Sequence, residues 1–247
     1  MKRILITIFA VVIATANVNA QFKSTYFTID EMPNGVDFLP APPDTTSTQF
    51  VYDLTQYIWG KTLRNTERGQ EAIEHVFTSV PKMAVCFSKP FGMTISREAT
   101  PAIYKMLLKA IPTIRLSANR PKDTYMRKRP FVRMNESTPY PQDEEEERNS
   151  GSYPSGHTIR GWGMALLLAE INPAAQDALM KLGYEWGQSR VILGYHWQSD
   201  VNASIALASA CYARLHTSPE FLSDMAKARE EYERLSKAQT ASPLEQH

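Results

Sequence analysis

Two histidines, an aspartate and three cations recur in this chain at spacings that suit the handling of a phosphoryl group. Lys122 is followed after six residues by Arg129-Pro130. Pro154-Ser155-Gly156-His157 comes next, and Ser189-Arg190, His196 and Asp200 close the series. A phosphoryl group in transfer spreads negative charge over three equatorial oxygens, so its site needs several fixed positive groups. Lys122, Arg129 and Arg190 supply them: arginine grips two oxygens with its planar fork, and lysine acts as a point charge. Ser155, Gly156 and His157 precede a helix expected from Thr158 to about Glu170. A helix start presents unpaired amides and a partial positive charge to an anion. Gly156 lets the backbone approach closely, and Ser155 adds a hydroxyl donor.

His196 and Asp200 are four residues apart, which on a helix puts both on one face. Asp200 is expected to accept the proton of one ring nitrogen of His196, fixing the tautomer and freeing the other nitrogen to attack. His196 is therefore read as the nucleophile that becomes phosphohistidine. His157 is read as the acid that protonates the leaving oxygen and then takes a proton from water. For this His157 starts protonated and His196 neutral, which implies an acidic to mildly acidic working pH.

The order Lys122, Arg129-Pro130, Pro154-Ser155-Gly156-His157, Ser189-Arg190, His196, Asp200 resembles the three-part signature of the type 2 phosphatidic acid phosphatase superfamily, which includes the vanadium haloperoxidases. Longer strings, Leu63 to Gly69, Gly151 to Thr158 and Gly194 to Asp200, resemble the soluble bacterial class A non-specific acid phosphatases. The resemblance runs from about Leu39 to the last helix. It fits least well over 80–94 and over the acidic loop Asp143 to Glu147. It implies an all-α, single-domain helical bundle of the acid phosphatase/vanadium haloperoxidase type, the same two histidine roles, and association as a homo-oligomer.

Other chemistries draw on the same residues. His157, His196 and Asp200 could bind a metal in principle, but three neighbouring cations oppose a divalent ion. No metal and no cofactor is therefore expected. A vanadium haloperoxidase would use the same pocket, since vanadate resembles the pentacoordinate phosphoryl state; inorganic phosphate and vanadate are expected inhibitors. A membrane lipid phosphatase would carry several spans. A non-enzymatic periplasmic phosphate-binding protein would need the cations but not a paired nucleophile and acid. His75, His216 and His247 lie outside the motif and are read as satisfied structural histidines.

The elements that position these residues are expected to be helices. Phe50, Val51, Leu54, Tyr57 and Ile58 form one stripe at helical spacing; Ala72, Ile73, Val76, Phe77 and Val80 form another, ended by Pro81. Ile103, Leu107, Ala110, Ile111 and Ile114 form a third, which Pro112 is expected to kink or divide. Asn172-Pro173 reads as a cap and first turn for a helix to about Ile192. Ser218-Pro219-Glu220 repeats that signal for a helix through about Ala238, and Val201 to Leu215 reads as a buried helix between them. Residues 21–45, with Pro40, Pro42 and Pro43, read as an extended arm, and 46–247 as one helical phosphatase domain.

The first twenty residues have a basic start, Lys2 and Arg3, an apolar run from Ile4 to Ala16, and small residues at Val18 and Ala20. That is the pattern of a signal peptide, cleaved after Ala20, and it implies a periplasmic or secreted protein. No later segment offers about 18 consecutive apolar residues, so no membrane span is expected after cleavage. Two cysteines, Cys86 and Cys211, are too few for a disulfide scaffold and are read as buried free thiols. The formal charge of +1 argues against nucleic-acid partners. Its distribution is uneven, however: six basic residues lie between Arg120 and Arg133, followed by the acidic run Asp143 to Glu147, which reads as a solvated loop. The partners expected are small phosphate monoesters.

Overall fold

The computed structural model describes residues 24–241, so the signal-peptide reading and His247 lie outside the described residues. Within them the chain forms helices in the order α1 (Gly35–Phe38), α2 (Thr48–Leu63), α3 (Glu67–Glu74), α4 (Val80–Phe91), α5 (Pro101–Leu116) and α6 (Asn119–Tyr125). There follow α7 (Pro130–Met134), α8 (Glu144–Arg148), α9 (Gly156–Ile171), α10 (Gln176–Ile192), α11 (Gln198–Leu215) and α12 (Pro219–Ala241). No strand forms among the described residues, and the all-α expectation holds. None of these helices is long and apolar enough to cross a membrane.

Helix α9 is the centre of the bundle. A helix apolar on all sides must be buried, and α9 buries Ile159, Met164, Leu167 and Leu168 together with the small residues Gly161, Gly163 and Ala165. The small residues let neighbours come close, and α10, α11, α5, α4 and α12 all pack on it. Against α10 the fit is tightest: a Cβ on Gly161 would stand 2.6 Å from the ring of Trp186, which is fully buried. Gly161→Ala should therefore lower stability by about 1–3 kcal/mol through overpacking. Chemical denaturation measures this, and an unchanged midpoint would contradict the packing argument.

Several expected elements are redrawn by tertiary context. The second apolar stripe is not one helix. It ends at Glu74, and α4 begins at Val80 with Pro81 in its first turn. Proline lacks only an amide that a first turn leaves unpaired anyway, so it starts this helix rather than ending the previous one. Pro112 does not divide α5, which runs unbroken to Leu116. The carbonyl deprived of its donor belongs to Leu108, on the solvent side at 38% exposure, where water can serve it. Asn172 does not cap α10; its amide donates to the Phe91 carbonyl at 2.9 Å, and α10 begins four residues later. On α2 only Phe50 and Tyr57 of the expected stripe are buried, while Val51 and Ile58 face outward.

The arm before α2 is not wholly extended. Ile29–Glu31 forms a short turn closed by the Thr28 amide on the Glu31 carboxylate, and Asn34 caps α1. Buried contacts tie the arm to the bundle: the Tyr26 amide donates to Thr113 at 2.9 Å, and the Tyr153 hydroxyl donates to the Pro40 carbonyl at 2.6 Å. Both cysteines are free thiols, Cys211 buried and Cys86 half-buried.

Candidate active site

The start of α9 forms one wall of a cavity of about 380 Å³. Ser155 is its cap, its hydroxyl accepting from the Thr158 amide at 3.2 Å. Gly156 and His157 follow and line the cavity, with Arg160 one turn on. The opposite walls come from Lys122 on α6, Arg129 just before α7, Arg115 at the end of α5, and His196 in the turn between α10 and α11. That turn depends on Gly194, whose φ of +81° is a left-handed conformation that other residues rarely adopt. It reverses the chain so that the Tyr195 and His196 amides both return to the Arg190 carbonyl.

The hydrogen bonds around His196 fix its tautomer. Arg129 can only donate, and its Nη1 lies 3.0 Å from His196 Nε2, so Nε2 presents its lone pair. The ring proton is then on Nδ1, which faces Asp200 Oδ2 at 3.4 Å and Ser152 Oγ at 3.4 Å. This is longer than the direct bond expected from the sequence. The reason is that Asp200 is already engaged: Oδ2 accepts from Ser152 and from the Trp197 amide, and Oδ1 accepts from Arg127 at 2.5 Å. Burial, with Arg129, Lys122 and Arg190 nearby, holds His196 well below the ordinary histidine pKa. It is neutral.

His157 is set up differently. Its Nε2 contacts the Val76 carbonyl at 3.0 Å, and a carbonyl only accepts, so Nε2 carries the proton. Burial and the charges of Arg190 and Arg160 also push His157 well below its ordinary pKa. The sequence predicts a His157 protonated at the outset; burial and the surrounding cations oppose that form.

The cations differ in their partners. Lys122 donates to the Gly151 carbonyl, and burial beside Arg129 and Arg115 lowers its pKa to about 7. Arg129 is clasped by the chain around it, with Nε donating to the Glu147 carbonyl at 2.8 Å and Nη2 to Ser150 Oγ at 2.8 Å. Arg190 is fully buried behind the wall, stacked on Tyr195 with its guanidinium carbon 4.3 Å from the ring centre. None of its three side-chain nitrogens finds a hydrogen-bond partner among the described residues. A buried cation so placed is costly unless an anion completes it.

The eight residues singled out by sequence thus converge, but in two layers. Lys122, Arg129, Gly156, His157 and His196 line the cavity; Ser155, Arg190 and Asp200 are buried behind it. Structure adds Arg115 and Arg160 to the wall, and Arg127 and Ser152 as supports of Asp200. Arg127 also pairs with Asp53 of α2 at 2.7 Å, tying the support to a distant helix. The basic run contains Arg127 without showing its role, and nothing in the sequence marks Asp53. The acidic run is not a solvated loop throughout, because Asp143, Glu146 and Glu147 line the cavity and Glu147 pairs with Arg129. His75 is structural, as expected: it stacks on Trp186 at 4.2 Å, contacts Ser189 at 2.8 Å, and burial lowers its pKa to about 4.

An all-α bundle with this cationic cavity and paired histidines belongs to a defined class. The model of the PAP2 superfamily matches residues 99–222, and the chain belongs to that superfamily. Similarity to curated proteins narrows the family further. The chain is 40% identical over 232 residues to the non-specific acid phosphatase of Providencia stuartii, covering 94% of each chain. It is 38% identical to the non-specific acid phosphatase of Salmonella typhimurium over 94% of this chain and 93% of that one. An acid phosphatase of Zymomonas mobilis is 32% identical over 83% of this chain and 76% of its own.

Proposed function

We propose that this protein is an exported acid phosphatase of broad specificity that hydrolyses phosphate monoesters through a phosphohistidine at His196. The observation that carries the reading is the neutral His196, whose Nε2 accepts from Arg129 at the wall of a cationic cavity. Its relatives' names, non-specific acid phosphatase, support the same substrate class.

The steps follow from the geometry. Nε2 of His196 attacks phosphorus while the bond to the alcohol oxygen breaks. His157 gives that oxygen a proton from Nδ1, the nitrogen that Val76 does not hold. The proton on Nδ1 of His196 stays facing Asp200, which offsets the positive charge the ring acquires. Lys122 and Arg129 meet the charge on the equatorial oxygens, and Arg190 adds its charge from behind the wall. Water then attacks the phosphorus of phospho-His196, His157 takes its proton, and the N–P bond breaks to release phosphate. The cluster of cations opposes a divalent metal ion, so the reading invokes none. The basic and apolar start of the chain supports export.

A phosphate ester in the cavity would also favour the protonated His157 that this step requires. Burial and cations hold its pKa down; a phosphate dianion among them raises it, so substrate helps to load the acid. Incubation with 4-nitrophenyl phosphate tests the reading. Turnover together with acid-labile phosphoprotein is the expected result, with inorganic phosphate and vanadate inhibiting. Absence of both turnover and label across the pH range would leave a phosphate-binding protein instead.

Lys122 sets an alkaline limit. Its charge binds the substrate only while protonated, and its pKa is lowered to about 7, so kcat/KM should fall as pH rises through that value. Lys122→Arg keeps a cation that does not titrate there. Its pH profile should extend to higher pH; an unmoved limb would contradict the assignment to Lys122.

A further inference from the structure

Helix α8 brings a carboxylate into an anion pocket. The side chain of Glu147 is only 20% exposed and pairs with Nη2 of Arg129. Its backbone is held as well: the Glu147 carbonyl accepts from Arg129 Nε, and the Ser150 hydroxyl reaches its carboxylate at 3.2 Å. Glu147 is therefore positioned, not merely near. Glu146 and Asp143 line the same cavity. Arg190 is fully buried with no hydrogen-bond partner among the described residues. The site thus has one cation bonded to an internal anion and one with no hydrogen bond of its own.

We propose that Glu147 is a specificity-determining residue: its carboxylate occupies Arg129 at the phosphoryl position, and a substrate's phosphoryl group must displace it. The inference rests on the reading of this cavity as a phosphate site. Burial opposes the charge of Glu147, but Arg129, Arg190 and Lys122 together keep its carboxyl down at about 2, so it stays ionised across the working range. Once displaced, Glu147 remains beside Glu146 and Asp143 at the cavity wall. A second negative group on the alcohol part of the substrate meets those three carboxylates and is repelled. Monoesters with a neutral or cationic alcohol part are the favoured class.

Glu147→Gln tests this, because the amide keeps the size and loses the charge. Phosphate binding by calorimetry should tighten about two- to fivefold, a range expected for removing one competing partly exposed ion pair. The ratio of kcat/KM for 4-carboxyphenyl phosphate over phenyl phosphate should rise by a similar factor. Glu145→Gln changes the net charge equally at an exposed position off the cavity wall and should alter neither. A purely structural Glu147 would change both substrates alike and leave phosphate binding unchanged or weaker, which would overturn the proposal. So would an equal effect from Glu145→Gln. Should Glu147→Gln fail to fold, Glu146→Gln decides: a raised ratio supports the acidic wall, an unmoved one removes it. Calorimetry needs no turnover, so tighter phosphate binding without hydrolysis sinks the phosphatase reading and keeps the displacement. If no form of the protein binds phosphate, both fail.

Discussion

His196→Ala should abolish turnover, by a factor on the order of 10⁵ or more, comparable to loss of the nucleophile in other covalent hydrolases. The same variant should form no phosphoprotein. The ring is buried, so a trivial loss by unfolding must be separated from a chemical one. The structure provides the separation. Asp200 does not depend on His196 for its partners, since Arg127, Ser152 and the Trp197 amide all donate to it. Arg129 likewise keeps the carbonyls of Glu147 and Tyr195. The variant should therefore unfold cooperatively near the parent temperature and still bind inorganic phosphate. Residual hydrolysis within about a hundredfold of the parent would place the nucleophile elsewhere.

For His157→Asn the expected loss depends on the leaving group. General acid catalysis contributes about 10²–10⁴-fold where the departing oxygen needs a proton, as in alkyl phosphates. Nitrophenolate leaves without one. The first, rapid release of nitrophenol should therefore be nearly unchanged. Steady-state turnover should still fall on both substrates, because His157 also removes the proton of the attacking water. Phospho-His196 should then accumulate and give a burst on 4-nitrophenyl phosphate. Equal loss of the burst rate and of alkyl phosphate turnover would remove His157 from the acid role. The pH profile on alkyl phosphates should respond as well. Burial and cations lower the His157 pKa, so its acid form gains population as pH falls or as a phosphate dianion arrives. The His157→Asn variant lacks that titrating group, so its residual rate on alkyl phosphates should gain less than the parent's as pH falls.

Much of this site was legible before any fold was known, because phosphoryl transfer constrains residue type strongly. A nucleophile, an acid and several cations must coexist, and few other chemistries ask for Lys122, Arg129, Arg190, His157 and His196 together. The sequence also carried the helical class, through apolar periodicity and the helix start at Ser218-Pro219-Glu220. It carried them less well where one signal has two readings. Pro81 reads as a stop but starts α4, and Pro112 reads as a break but sits where solvent can satisfy the freed carbonyl. Val51 and Ile58 share the spacing of Phe50 and Tyr57 yet face outward, because periodicity gives the width of a face and not which part of it finds a neighbour.

What the sequence by itself determined is therefore the chemistry on offer: which groups can attack, donate and bind an anion. Only the tertiary structure decided their states. The tautomer of His196 follows from Arg129, which is 67 residues away and can only donate. The pull on His157 away from its protonated form follows from its burial, with the charges of Arg190 and Arg160 nearby. Glu147 belongs to a run of acids that looks like solvated surface, yet it is drawn onto Arg129. The physical reason is common to all three. Charge and proton position depend on distance and burial, and both are set by residues that meet only when the chain folds.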